Sequence, residues 1–292
     1  MNIISFDIEE WYIEKEFYAG STERYRLFDS YLHQILDILD DNNLKATFFC
    51  VGRIATDFPY VIRLVSDRGH EIGCHSNKHL WITQMEPEQF RADTKDAISA
   101  LQDVCGQKVI SYRAPAFSIG ENNKWSIDIL VECGIERDAS IFPAKRDFGG
   151  FNTFSYDSPV LIEHNGNRLK EFPIGLANIF GMKVAYSGGG YFRFFPYGYV
   201  KRKIQKSDYS IVYFHIGDLV HENHTMLNRA EYENYFKEKG TLINRVKRYI
   251  KSSIGTKGAF RKMEKLVTTI PFINLREADK LIDWKNTPIA KI

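Results

Sequence analysis

Short apolar runs alternate along this chain with longer stretches in which apolar residues recur every three or four positions. The runs "NIISF" (2–6), "KATFFCVG" (45–52), "HEIGCH" (70–75), "KVISYRA" (108–114) and "YSIVYFHIG" (209–217) have strand length, and "TTIPFINL" (268–275) reads as a last strand. Between them, "YLHQILDILDDNN" (31–43), "DFPYVIRLVSDRG" (57–69), "EPEQFRADTKDAISALQDVCG" (86–106) and "NNKWSIDILVECG" (122–134) carry helical spacing. Asp57 suits an N-cap, Gly69 a helix end and Pro87 a first turn. Strand-then-helix units in this order predict an α/β fold with a parallel sheet covered on both faces, either open or closed into a barrel.

Two regions break the rhythm. Residues 145–200 are rich in Gly, Phe and Tyr, include "YSGGGYFRFFPYG" (186–198), and show no clear helix. They are expected to be a long irregular excursion from a single domain spanning 1–292. Farther on, a helical segment at about 225–265 is basic. Residues 237–265 hold ten Lys or Arg against two Glu, while the whole chain nets only +2, so the remainder is net acidic. Leu242, Ile243, Val246, Tyr249 and Ile250 share one helical face there. The segment is expected either to pack on the domain with its basic face in water, or to dock on an anionic membrane surface.

Composition narrows the class. With 44% apolar and 14% aromatic residues in 292, the chain can bury a substantial core, which excludes general disorder. A net charge of +2 argues against nucleic-acid binding. Cys50, Cys74, Cys105 and Cys133 form no CxxC pair and read as reduced thiols of a reducing compartment. The start, "MNIISFDIEEWY", carries acids where an export leader needs a basic stretch, and no run reaches the ~18 apolar residues of a spanning helix. The expectation is a soluble cytoplasmic protein, with peripheral contact at the inner membrane face open through 237–265. Oligomeric state is left open.

Candidate chemistry gathers at the ends of the expected strands. Asp7, Glu9 and Glu10 put three carboxylates in four residues after "NIISF"; unless a cation or an arginine neutralises them, they belong in a solvated turn. His75 and His79, four apart, could converge on one ion if the backbone after the strand is helical. His70 begins the same stretch and is expected to face elsewhere as a hydrogen-bonded structural histidine. His215 ends the late strand, and Arg113 in "YRAP" ends another. In parallel α/β architectures the carboxyl ends of the strands share one face, where reacting groups collect. Two histidines and one carboxylate leave a tetrahedral ion an open position, and a further acid and histidine can serve as general base and general acid. That set suits a metal-dependent hydrolase.

Taken in order, these motifs resemble the polysaccharide deacetylases, the NodB-homology or carbohydrate esterase family four enzymes. "SFDIEEW" resembles the family's acidic first motif, and His75-Ser76-Asn77-Lys78-His79 its metal-binding His-Ser/Thr-x-x-His. "TFFCVG" (47–52), Arg113-Ala114-Pro115 and Phe214-His215 resemble its strand, Arg-x-Pro and late-histidine motifs. "RDASIFP" (137–143) and "GGGYFRFFPY" (188–197) resemble a subgroup tied to exopolysaccharide and cell-envelope sugar loci.

The resemblance implies a distorted (β/α) barrel and a divalent ion, zinc first, with cobalt, nickel, manganese and iron open. By position, Asp7 would be the base acting on the attacking water. His75, His79 and Glu9 would hold the ion, with Glu10 as the alternative ligand. Period-two alternation places residues 7 and 9 on one side of the strand, which favours Glu9. Arg113 would orient Asp7, His215 would protonate the departing amine, and the backbone N–H of Ala116 would be the oxyanion donor. Departures exist: the second acid is a displaced Glu, and the family's Asp partner of the late histidine finds only Asp138 as a weak match. Trp11, Trp81 and Tyr191 are candidates for stacking on a sugar.

The implied activity is removal of an N-acetyl group from an acetamido sugar, lipid-linked, nucleotide-linked or oligomeric, in cell-envelope polysaccharide metabolism. Hydrolysis of another non-peptide C–N amide bond and a catalytically silent carbohydrate-binding protein are the alternatives.

Overall fold

The structure is a computed structural model that describes residues 1–18, 20–146, 149–179, 181–221 and 225–292. Its frame is a nine-stranded sheet. In chain order the strands are β1 (Asn2–Ile8), β2 (Thr47–Cys50), β3 (Glu71–Cys74), β4 (Ser111–Tyr112), β5 (Arg137–Asp138), β6 (Val160–His164), β7 (Asn167–Glu171), β8 (Leu176–Ile179), β9 (Met182–Ala185), β10 (Ser210–His215) and β11 (Ile289–Lys291). Neighbours run β10-β1-β2-β3-β4-β5-β7-β6-β11, with β8 and β9 forming a separate antiparallel pair. All pairings in the large sheet are parallel except the β6–β7 hairpin.

β1 shows why both faces of this sheet are buried. Its residues 3–8 are all within 1% of full burial. Ile4, Phe6 and Ile8 join the large core beneath the helices. Ile3 joins a second cluster with Phe49, Phe117, Phe172, Ile211 and Tyr213 on the other side. Strand alternation therefore sends Ser5 and Asp7 to that inner side, into the concavity of the sheet.

Most expected helices form, with shifted bounds. The helix Pro87–Cys105 has Pro87 at its first position, a reciprocal Glu86/Gln89 cap, and Gly106 in the left-handed region at φ 64°. The expected N-cap Asp57 is a correction. It ends a preceding short helix, Gly52–Asp57, because Pro59 forces Phe58 out of helical geometry, and the next helix runs Pro59–Asp67. Asp57 instead pairs with Arg53 at 3.1 Å and Lys15 at 3.0 Å.

Two larger corrections follow. The stretch 145–200 is irregular only in part: the described residues before Val160 form no strand or helix, but beyond them it holds β6 to β9, the helix Gly189–Phe194 and the start of Tyr197–Lys206, with residues 147, 148 and 180 outside the described set. Asn165 and Gly166, at φ 46° and 83°, form the tight turn of the β6–β7 hairpin, an Asn-Gly signal visible in the sequence. The expected strand 268–275 is a single bridge between Ile273 and Ile3. β2 begins only opposite Ser5, so the start of β1 keeps an open edge, and Ile273 fills it with two 3.0 Å hydrogen bonds. Asn274 then caps the helix Leu275–Leu281, which stops the strand. The basic segment forms three helices: Arg229–Phe236, Leu242–Ser253 and Ala259–Val267.

His70 lies at the opposite end of β3 from the clustered acids. It is fully buried, its ring stands 5.1 Å from that of Phe48, and its Nδ1 accepts from Ala46 N–H at 3.2 Å. Burial, and then the Lys45 charge, push its pKa down to about 4. The unfolded chain, titrating near 6.5, takes up a proton first as pH falls. The structural stability is thus full above the unfolded value and lost progressively between pH 6.5 and 4. Unfolding free energy is expected to drop by about 2 kcal/mol from pH 7 to pH 5 through this residue. Urea titrations of wild type and His70→Phe at both pH values check it: equal pH slopes would remove the assignment.

Candidate active site

The register of the sheet assembles the site. Asp7 pairs with His215 across β1 and β10, Ile8 with Cys50, Cys50 with Cys74, and Cys74 with Tyr112. The residues that leave the carboxyl ends of these strands, Glu9, His75 and Arg113, are therefore neighbours although they lie far apart in sequence.

Glu9, His75 and His79 each bring a donor atom within 4.8 Å of the others. Glu9 Oε2 stands 2.7 Å from His79 Nε2 and 3.5 Å from His75 Nε2. His75 Nδ1 donates to the Arg113 carbonyl at 2.7 Å, which fixes the tautomer and leaves the Nε2 lone pair facing Glu9. This donor set fits a tetrahedral divalent ion with one open position. Glu10 is not in the cluster.

The histidines converge without the helical backbone that the sequence reading had set as the condition. After β3 the chain loops, with Ser76 and His79 both in the left-handed region at φ 61° and 53°. The loop is pinned by Gly52 N–H to Ser76 O at 2.9 Å and by Asn77 N–H to Asp93 Oδ2 at 2.7 Å. Gly52 is required there, since a Cβ would lie 2.7 Å from the Ala97 backbone.

Asp7 is buried and accepts from Arg113 Nη1 at 2.7 Å. The guanidinium, itself fully buried, also donates to Ser5 Oγ at 2.9 Å and lies 4.2 Å from the Phe49 ring centre. His215 Nε2 stands 3.6 Å from Asp7 Oδ2 and 3.8 Å from Glu9 Oε1. Burial opposes its charged form, yet Glu9, Asp218 and Asp7 together hold its pKa well above the ordinary histidine value.

The carboxylate partner of His215 is Asp218, at 2.8 Å from Nδ1, and not Asp138. The reading by resemblance missed it, although "YFHIGD" contains it three residues on. Burial raises the Asp218 pKa, but His215 and Arg193 outweigh that and hold it low; Arg193 Nη2 is 3.3 Å from Oδ1. Asp138 is buried behind Arg113, where it accepts from Ser140, whose Oγ accepts in turn from Ala114 N–H at 2.7 Å. It supports the Arg-x-Pro loop. Glu10 accepts from Gly217 N–H at 2.7 Å and so ties β1 to the turn after His215. Burial and the Glu9 charge push its pKa up to about 7.

Asp7, His75 and His215 open onto a cavity of about 840 Å³, lined also by Ala116, Tyr191 and Tyr213. Ala116 has left-handed backbone geometry, φ 54° and ψ 16°, in the turn after Arg113. The three candidate stacking residues separate. Tyr191 lines the cavity. Trp11 is fully buried against Phe28, with its Nε1 donating to Asp29 and Tyr60 at 3.2 Å, and is core. Trp81 precedes a 3₁₀ turn, Ile82–Gln84, and is not part of the lining. Trp11 lies in the first turn of the short helix Glu10–Phe17, which the sequence reading did not anticipate, and Trp81 lies in a loop, where no periodicity orients it.

Residues 20–137 match the polysaccharide deacetylase family model. That match, to the family's polysaccharide deacetylase domain, covers less than half of the chain. Residues 139–279 match a second model, a domain of unknown function, DUF3473. The constellation straddles both: Asp7 and Glu9 precede the first match, and His215 and Asp218 fall in the second. Among curated relatives, a peptidoglycan-N-acetylglucosamine deacetylase of Bacillus cereus is 28% identical over 117 residues, covering 36% of this chain and 42% of that protein. A chitooligosaccharide deacetylase of Rhizobium leguminosarum bv. trifolii is 29% identical over 119 residues, 38% of this chain and 53% of that protein. The chain thus spans about half the length of these relatives. A solved polysaccharide deacetylase-type structure from Mycobacterium smegmatis superposes with a TM-score of 0.63 at 17% identity, covering 98% of this chain and 91% of that one. That likeness concerns the fold, the distorted NodB-type (β/α) barrel.

Proposed function

We propose that this protein is a divalent-metal-dependent hydrolase that removes the N-acetyl group from an acetamido sugar. The observation that carries the reading is the arrangement at the cavity floor: a Glu9–His75–His79 donor cluster, with Asp7 outside it held by Arg113 and facing His215. The named activities of the relatives, deacetylation of peptidoglycan and chitooligosaccharides, support the substrate class.

A bound divalent ion supplies Lewis acidity toward the amide carbonyl and lowers the pKa of water. The residues of the chain do the rest. Asp7, fixed by the 2.7 Å ion pair with Arg113, takes the proton of the attacking water as the new O–C bond forms. The Ala116 N–H, by family position, donates to the oxyanion; such a donor is typically worth about 3 kcal/mol. His215, kept protonated by its acidic neighbours and oriented by Asp218, gives its proton to the nitrogen as the C–N bond breaks. Acetate and a free amine leave. Tyr191 offers an aromatic face to the sugar ring.

Acetate release from a panel of acetamido sugars (free, oligomeric, nucleotide-linked and lipid-linked) tests the reading, with metal analysis of the purified protein alongside. Turnover is expected to vanish on chelation and to return with zinc or a related ion. A protein that binds no divalent ion, or releases acetate from none of the panel, is not this enzyme.

A further inference from the structure

The helix Leu242–Ser253 stands with the wrong side toward the protein. None of its residues is buried. Leu242, Ile243, Val246, Tyr249 and Ile250, with Ile254 just beyond, are 37–66% exposed. Six of the thirteen large apolar side chains exposed among the described residues fall in these thirteen positions. The inward residues are polar: Asn244 donates to Lys239 O at 3.0 Å, Arg245 to Leu227 O at 3.2 Å, and Arg248 lies 4.5 Å from the Phe236 ring. At 100° per residue the apolar stripe points away from this polar seat. A helix seated in this way leaves its apolar face for something other than the core of its own domain.

The same helix walls the catalytic cavity. Arg245, Arg248, Tyr249 and Ser252 line the space that reaches Asp7 and His215. Its C-terminal carbonyls, of Lys251 and Ser252, accept from Arg193 at 2.9 and 2.6 Å, and Arg193 also contacts Asp218, the partner of His215. Docking face and catalytic pair are joined by one guanidinium.

We propose that this helix lies on an anionic lipid bilayer, apolar stripe inserted at the interface, so that the cavity opens at the membrane surface and receives an acetamido sugar carried on a lipid. Exposed Lys247 and Lys251 flank the stripe, and the surrounding residues 237–265 carry ten basic side chains against two acidic. That charge complements anionic headgroups and opposes stacking of a second copy on the same face. About 18 Å of helix suits an interfacial element, and among the described residues no helix is long and apolar enough to cross a membrane. The carried substrate rests on the deacetylase reading; the docking does not.

Co-sedimentation of the full chain with phosphatidylcholine vesicles, with and without phosphatidylglycerol, tests it. Wild type is expected to bind the anionic vesicles only, more weakly as salt rises. Leu242→Glu/Ile243→Glu and Lys247→Glu are each expected to weaken binding at least about tenfold. The double variant alters only exposed positions outside the cavity lining, so it keeps wild-type hydrolysis of a soluble acetamido sugar. Wild type left in the supernatant at low salt, or an unimpaired double variant, overturns the proposal. So does a lipid-free dimer that Ile243→Glu dissociates, which would assign the face to a second copy. Vesicle binding without acetate release from any substrate sinks the deacetylase reading alone, and acetate release without vesicle binding sinks the docking alone.

Discussion

Asp7→Asn is expected to lower kcat by roughly 10²–10⁴-fold while the purified variant still holds its divalent ion. The reason is geometric. Asp7 lies outside the Glu9–His75–His79 donor cluster, yet its Oδ2 is 3.6 Å from His215 Nε2 at the same cavity floor. Asparagine keeps the shape and can accept from Arg113, but it has no lone-pair charge with which to take a proton. Steady-state kinetics with metal analysis on the same preparation separate base from ligand. Loss of the ion would make Asp7 a ligand, and retained turnover would move the base elsewhere. Glu9→Gln is the matched control, expected to lose ion and turnover together.

The second large effect concerns stability. Arg113→Met removes the buried cation that faces Asp7 at 2.7 Å, leaving a buried carboxylate without its counter-charge. Breaking a buried pair in this way costs about 3–5 kcal/mol. If that pair is the dominant interaction, Asp7→Asn/Arg113→Met should lose far less than the two single variants added together, because neither charge remains to be solvated. Urea denaturation of the four proteins closes the cycle. Additive losses would show that the guanidinium stabilises the fold mainly through Ser5, the Ala139 carbonyl at 3.2 Å and the Phe49 ring.

These two residues also mark where linear reasoning stops. Asp7 and His215 are 208 positions apart, and only the parallel register of β1 with β10 makes them partners. The sequence carried the types of residue and their place at strand ends, because buried strands leave a strong apolar signature and donors follow it directly. It did not carry the loop after β3: two left-handed residues at Ser76 and His79 are set by Gly52 and Asp93 from other segments, not by local propensity. Asp218 was overlooked in plain view, since resemblance pointed to Asp138 and nothing in the spacing of "YFHIGD" announces a short helical turn.

By itself, then, the amino-acid order determined the alternation of strands and helices, the acidic and imidazole groups at strand ends, and the existence of a basic helix with an apolar stripe. Tertiary structure alone decided that Trp11 is core, that Asp218 pairs with His215, and that the stripe faces outward. Periodicity specifies which side chains share a face of an element; the direction of that face depends on what the rest of the chain packs against it.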